Sequence, residues 1–191
     1  MSKQMKTILI IVGVVVVIGL MAFGKIIANY NRVIAMDEDV KGKWAQVENQ
    51  LKRRYDLIPN LVETVKGYAK HEKELFENIA QARTQYFQAK DVKDKVKASN
   101  QLEGVLSRLL LLQERYPELK ANESFLKLQD SLEGTENRIA VERKRYNDSV
   151  QTLNTYIRTF FGRFYAMIAG VSSAAYYEVP EAEKAAPKVK F

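Results

Sequence analysis

The sequence predicts an all-α protein: an N-terminal transmembrane helix followed by an antiparallel up-and-down four-helix bundle with long helices. Three observations lead to that class. Residues 8–23 (ILIIVGVVVVIGLMAF) carry no charge. Beyond them, apolar side chains recur at alternating steps of three and four, the period of one helix face. A polar stretch at residues 89–95 and the proline at Pro117 then divide the repeat into helix-length segments with short connections. The predicted organisation is a tail and anchor over residues 1–28, a helical bundle over 29–161, and an apolar aromatic segment with an extended tail over 162–191.

The uncharged run over residues 7–24 is about 27 Å long at ~1.5 Å per residue, close to the hydrocarbon thickness of a bilayer. Ile26, Ile27 and Ala28 lengthen it, with Lys25 snorkelling and Tyr30 placed at the interface. A cleaved signal peptide is the competing reading, because Lys3 and Lys6 form a basic n-region. The run exceeds the ~7–15 residues of an h-region, however, and Leu20-Met21-Ala22 offers no small residue three places before a cut. The chain has no cysteine, which excludes a lipoprotein attachment site. A signal anchor is the better reading. Lys3 and Lys6 nearly balance Lys25 and Arg32 across the span; an inside N-terminus, with the bulk of the chain outside, is the expected orientation.

Net charge is +7, of which Lys3 and Lys6 supply two, and acids and bases are interspersed. That pattern marks solvated helix faces and argues against a nucleic-acid partner. The basic triplets Lys52-Arg53-Arg54 and Arg143-Lys144-Arg145 are candidates for contact with anionic lipid. On a helix rising from Tyr30, Lys52 would stand about 30 Å above the bilayer, several Debye lengths away, so salt-bridge roles are expected instead.

The first stripe runs from Tyr30 through Val33, Val40, Trp44, Val47, Leu51, Ile58, Leu61, Val65 and Tyr68 to Leu75, Ile79, Ala82 and Tyr86. Asp37, Arg54 and Glu72 interrupt it. Its phase passes through Pro59, so either the helix kinks or restarts there, or it continues to a hairpin near residues 67–72. A turn is placed at residues 89–95, and a third helix over 96–116 that stops at Pro117. Leu102, Val105, Leu109, Leu112 and Tyr116 share one face, but Leu106, Leu110 and Leu111 make this helix apolar nearly all round. It is therefore expected at the bundle centre or against another subunit.

Asn122 is the expected N-cap of the last long helix, about 55 Å long, whose stripe runs from Phe125, Leu128, Leu132 and Ile139 to Tyr146, Leu153, Tyr156 and Phe160. Thr135, Glu142 and Ser149 interrupt it. Out, back, out and back again returns this helix to the bilayer surface, carrying the aromatic residues 160–168 with Arg163 among them. That segment reads either as an interfacial membrane contact or as a cap or subunit contact. The tail beyond Gly170 reads as extended, with small residues 172–175, then Tyr176, Tyr177, Pro180 and Pro187; Val189 and Phe191 allow a docked strand.

Two helical segments carry a resemblance. Residues 44–74 (WAQVENQLKRRYDLIPNLVETVKGYAKHEKE) and 132–148 (LEGTENRIAVERKRYND) resemble signature segments of the LemA family, bacterial single-pass membrane proteins with a helical-bundle domain. The likeness extends to the anchor, Tyr30-Asn31, Tyr116-Pro117, Leu119-Lys120-Ala121-Asn122 and the closing Pro187-Lys188-Val189-Lys190-Phe191. It is looser over residues 162–175. The resemblance implies a scaffold or accessory protein of the bacterial envelope, with some relatives in magnetosome membranes, and it supplies no catalytic residues.

The residues themselves offer little chemistry. His71 is the only histidine, and Leu75 stands where a zinc-protease helix needs the second. No cysteine nucleophile or phosphate-cradling glycine loop is present. No catalytic, cofactor or metal site is therefore assigned, and an enzyme is not expected. Of the polar residues within the stripes, Arg54 falls level with Glu136 if the first and last helices are antiparallel, which predicts an ion pair with Glu136 or Glu142. The expected function is a membrane-anchored helical scaffold or accessory protein of the inner membrane, with the bilayer, its own copies or another envelope protein as partners. The alternative is a membrane-associated sensor or hydrolase with a ligand pocket between helices.

Overall fold

The computed structural model describes residues 3–178, and among them all regular structure is helical. The elements are α1 (Lys3–Lys66), α2 (Lys73–Gln88), α3 (Val92–Arg115), a 3₁₀ turn over Pro117–Ala121, α4 (Glu123–Arg158) and α5 (Phe160–Ala169). Pro180, Pro187 and the strand expected at Val189 and Phe191 lie outside the described residues.

Each boundary has a local cause. Proline lacks an N–H and crowds the carbonyl four residues back, yet α1 continues through Pro59. Ile58 and Leu61 on either side are both fully buried, so packing holds the helix across the defect. The chain turns after Lys66, where the amide of Ala69 donates to the carbonyl of Val65 at 2.9 Å; the hairpin therefore lies at residues 67–72. The third helix starts earlier than the sequence predicts, at Val92 instead of residue 96. Asp91 caps it, its Oδ1 accepting the amide of Asp94 at 2.8 Å. Asn122 caps α4 as expected, accepting the amide of Phe125 at 2.9 Å.

That last long helix does not reach Phe160. It ends at Arg158, and Thr159 starts a separate helix, its hydroxyl accepting the amide of Gly162 at 3.0 Å. A Cβ on Gly162 would stand 1.9 Å from the carbonyl oxygen of Tyr156, so only glycine fits this corner. Gly170, at φ 67°, closes α5 in the left-handed conformation. The amide of Val171 then reaches back to the carbonyl of Ala166 at 2.9 Å, and that of Gly170 to Met167, a Schellman ending.

The chain divides into two compact units. The first comprises Met1–Lys41 and Ser149–Ala174, the second Gly42–Asp148 and Ala175–Phe191. The second unit closes an apolar core with residues from every helix in it: Leu51 and Leu61 on α1, Ile79 on α2, Leu109 on α3, Phe125 and Ile139 on α4 are all essentially inaccessible. Tyr55, which the 3,4 reading passed over for Arg54, is fully buried and stacks on Tyr86 at 4.2 Å between ring centroids. On α3, Leu102, Leu106, Leu109 and Leu112 face inward, whereas Leu111 is 64% exposed.

The second unit also ties down its extended C-terminal residues. The side chain of Asn147 holds the backbone of Tyr177 from both sides, accepting its amide at 2.9 Å and donating to its carbonyl at 3.0 Å. The Tyr177 ring is buried beside Trp44, and its hydroxyl donates to Ser99 Oγ at 3.0 Å. Tyr146 donates to the carbonyl of Ala175 at 2.7 Å. Burial pushes the hydroxyls of Tyr55, Tyr86 and Tyr177 well above the usual tyrosine range, and that of Tyr146 up to about 12.

Candidate membrane interface

Among the described residues, α1 is the one helix long and apolar enough to cross a membrane, by length and composition. Its apolar residues from Leu9 to Phe23 are all exposed. Among the described residues nothing covers them.

The first unit has its own small core just past that run. Val33 of α1 meets Tyr165 and Ala166 of α5, with Tyr30, Tyr156, Ile157 and Val171 packed around them. Polar contacts fix the same junction. The Tyr156 hydroxyl donates to Asn29 Oδ1 at 3.1 Å, and the Arg32 guanidinium lies 4.9 Å from the centre of the Tyr156 ring. Asn154 clamps Ala174 with two backbone hydrogen bonds of 2.9 Å. The Val33 cluster seats α5 on α1 past the uncharged run, and the polar ties brace the end of α4 and the chain after α5 around it.

Only one face of α5 is used in that packing. The other presents Phe160, 87% exposed, together with Phe161, Phe164, Met167 and Ile168, all more than half exposed. Edge-on contacts, 5.2 Å between the rings of Phe160 and Phe161 and 5.7 Å between Phe164 and Tyr165, keep the aromatic rings spread. Arg158, Arg163 and Ile26 of α1 line the same groove of about 760 Å³. A contiguous apolar patch rimmed by cations is a surface for a partner that is apolar beside its charge. The sequence identified these residues, but neither the helix that orients them nor the glycine that lets it turn.

The polar residues inside the stripes find different partners. Arg54, 8% exposed at its side chain, pairs with Glu136 at 2.8 Å and lies 3.9 Å from Glu103. The alternative partner Glu142 binds Arg145 of its own helix at 2.7 Å. Asp37 holds Lys41 at 2.7 Å, and Glu72 holds Arg115 at 2.6 Å. Thr135 is buried and donates to the carbonyl of Leu132 at 2.7 Å. Of the basic triplets, Lys52 pairs with Asp56 and Arg143 lies 5.6 Å from the centre of the Tyr177 ring. His71 is exposed in the turn before α2. Among the described residues no three His, Cys, Asp or Glu side chains converge on a metal position.

Known proteins share this sequence pattern. A model described as LemA family matches residues 43–191. Magnetosome protein MamQ 2 of Paramagnetospirillum magneticum is 26% identical across 86% of this chain and 71% of its own length. Magnetosome protein MamQ of Magnetospirillum gryphiswaldense is 25% identical across 84% and 69%. Protein LemA of Metamycoplasma hominis is 22% identical across 81% and 71%.

Proposed function

The chain belongs to the LemA family, and from that premise we propose that it is a membrane-anchored helical scaffold of the bacterial inner membrane. It acts through self-association or by recruiting another envelope protein, without catalysis. Its second unit is an antiparallel up-and-down four-helix bundle, a reading supported by the Arg54–Glu136 pair and the short connections between helices.

The observation that carries the proposal is α1. One helix bears both the apolar span and the first core stripe, so the anchor is part of the architecture. The relatives named magnetosome proteins are compatible with this reading. Self-association is supported by Leu111, which stays exposed at the edge of a recess that also holds His71, Leu75 and Arg108. The expected absence of catalysis is supported by the sequence, which offers no cysteine and a single histidine.

Purified in mild detergent, the full chain is expected to have the mass of two or more copies, or to carry a stoichiometric companion. Leu111→Glu, at an exposed position, should lower that mass without changing helicity. A strictly monomeric particle with nothing bound would sink the scaffold reading. Orientation is tested at exposed Lys93, because Asp91, at the centre of the expected turn, is a helix cap. Lys93→Cys should react with a membrane-impermeant maleimide in intact cells; protection until lysis would place the second unit in the cytoplasm.

A further inference from the structure

We propose that α5 is a second membrane contact, lying in the plane of the interface and recognising anionic phospholipids. The inference rests on the reading of α1 as a membrane span. Three observations point to it.

First, the surface is continuous with the span. Ile26, within the apolar end of α1, lines the same groove as Phe161 and Phe164, and Val33, less than two turns beyond Ile26, packs on Tyr165 and Ala166. At ~1.5 Å per residue, α5 is thus seated within about 10 Å of the end of the hydrocarbon run, the depth of the headgroup layer. Second, the exposed face has interfacial composition: three phenylalanines, Met167 and Ile168 over ten residues, without an acid. Third, the charges beside it have one sign. Lys25, Arg32, Arg158 and Arg163 are all exposed, and neither residues 25–36 nor residues 155–170 contain an aspartate or glutamate. An apolar groove whose charged lining residues are Arg158 and Arg163, with Asp37 and Glu38 beyond Val33 held by Lys41, matches the acyl chains and phosphate groups of an anionic bilayer. A second copy of this chain would bring the same cations against them.

The test uses the full chain in vesicles. Because the chain has no cysteine, Phe161→Cys and, separately, Val15→Cys can each carry an environment-sensitive fluorophore. The proteins are reconstituted in phosphatidylcholine alone or with a third phosphatidylglycerol, with brominated lipid as quencher. Quenching at both positions is expected, and at Phe161→Cys it should be severalfold stronger with phosphatidylglycerol. Arg158→Gln with Arg163→Gln should abolish that difference while leaving quenching at Val15→Cys unchanged. Quenching at Val15→Cys but not at Phe161→Cys overturns the proposal and leaves the span intact. If the Phe161→Cys signal is instead shielded in proportion to protein density and not by lipid, a second copy occupies the face. Equal quenching in both lipid compositions refutes the anionic preference. Absence of quenching at Val15→Cys removes the span on which the proposal rests.

Discussion

The two units differ most in what they do with aromatic side chains. The second draws some of its polar groups inside, pairing Arg54 with Glu136 and Tyr177 with Ser99. The first packs a small cluster around Val33 and turns Phe160, Phe161 and Met167 outward. A protein surrounded by water everywhere gains nothing from that exposure, at roughly 25 cal/mol for each Å² of apolar surface. The difference marks two solvents. On the proposed reading, the second unit is folded against water and the first is finished by a bilayer.

The largest test of this contrast pairs two aromatic truncations. Tyr177→Ala empties a buried site beside Trp44 and should cost about 3–5 kcal/mol, seen as a lower unfolding midpoint by circular dichroism and faster hydrogen exchange around Ser99. Phe160→Ala removes a ring of similar size that is 87% exposed. In detergent it should change stability by less than ~0.5 kcal/mol. A large loss from Phe160→Ala would mean that this ring belongs to a first-unit core larger than the cluster around Val33.

A glycine comparison follows. Gly162→Ala forces a methyl onto the Tyr156 carbonyl and should cost about 1–3 kcal/mol, read as faster hydrogen exchange in α5. Gly134→Ala, in an open position on α4 of the second unit, should stabilise by ~0.5–1 kcal/mol. If both substitutions act alike, the tight corner at α5 is not needed.

Alkaline pH should act on the second unit through its buried tyrosines. Their folded pKa values lie above the unfolded value of ~10, so the unfolded chain loses these protons first as pH rises. Their stabilisation is complete below about pH 10 and is lost as pH rises through the folded values, which for Tyr146 means between about 10 and 12. Tyrosinate absorbance should therefore rise together with the loss of second-unit structure. Tyr146→Phe should flatten the pH dependence over that interval; an unchanged slope would show that Tyr146 does not contribute.

Much of this architecture is legible because helices repeat. The uncharged run, the stripe through Pro59, the cap at Asn122 and the level of Glu136 opposite Arg54 all follow from a fixed rise and a fixed period. What was missed is aperiodic. Asp91 sits in a polar stretch where a cap looks like loop, and Tyr55 lies next to Arg54 at a step where either residue fits the repeat. The aromatic run at residues 160–168 repeats at helical steps like the helix before it, so nothing announces the break at Thr159, and Gly162 reveals its role only once Tyr156 is beside it. The absence of a further helix over residues 171–178 was legible. The attachment of those residues was not, because an asparagine that clamps a distant backbone leaves no pattern along the chain.

That attachment provides the finest comparison, since the same clamp occurs once in each unit. Asn154 grips Ala174 in the first, and Asn147 grips Tyr177 in the second, each by one donated and one accepted backbone bond. Alanine at either position removes two hydrogen bonds and should cost about 1–2 kcal/mol. The consequences should differ in reach. Ala174 is a small, half-buried residue, so Asn154→Ala should speed hydrogen exchange at the amide of Ala174 and little else. Tyr177 carries a buried ring bonded to Ser99, so Asn147→Ala should also loosen α3 around that serine. Asn147→Asp keeps the acceptor for the Tyr177 amide but loses the donor to its carbonyl, and should fall between wild type and Asn147→Ala. If Asn147→Ala stays as local as Asn154→Ala, the ring of Tyr177 holds its place without the clamp. The closure of the second unit would then rest on the packing of that ring and its bond to Ser99.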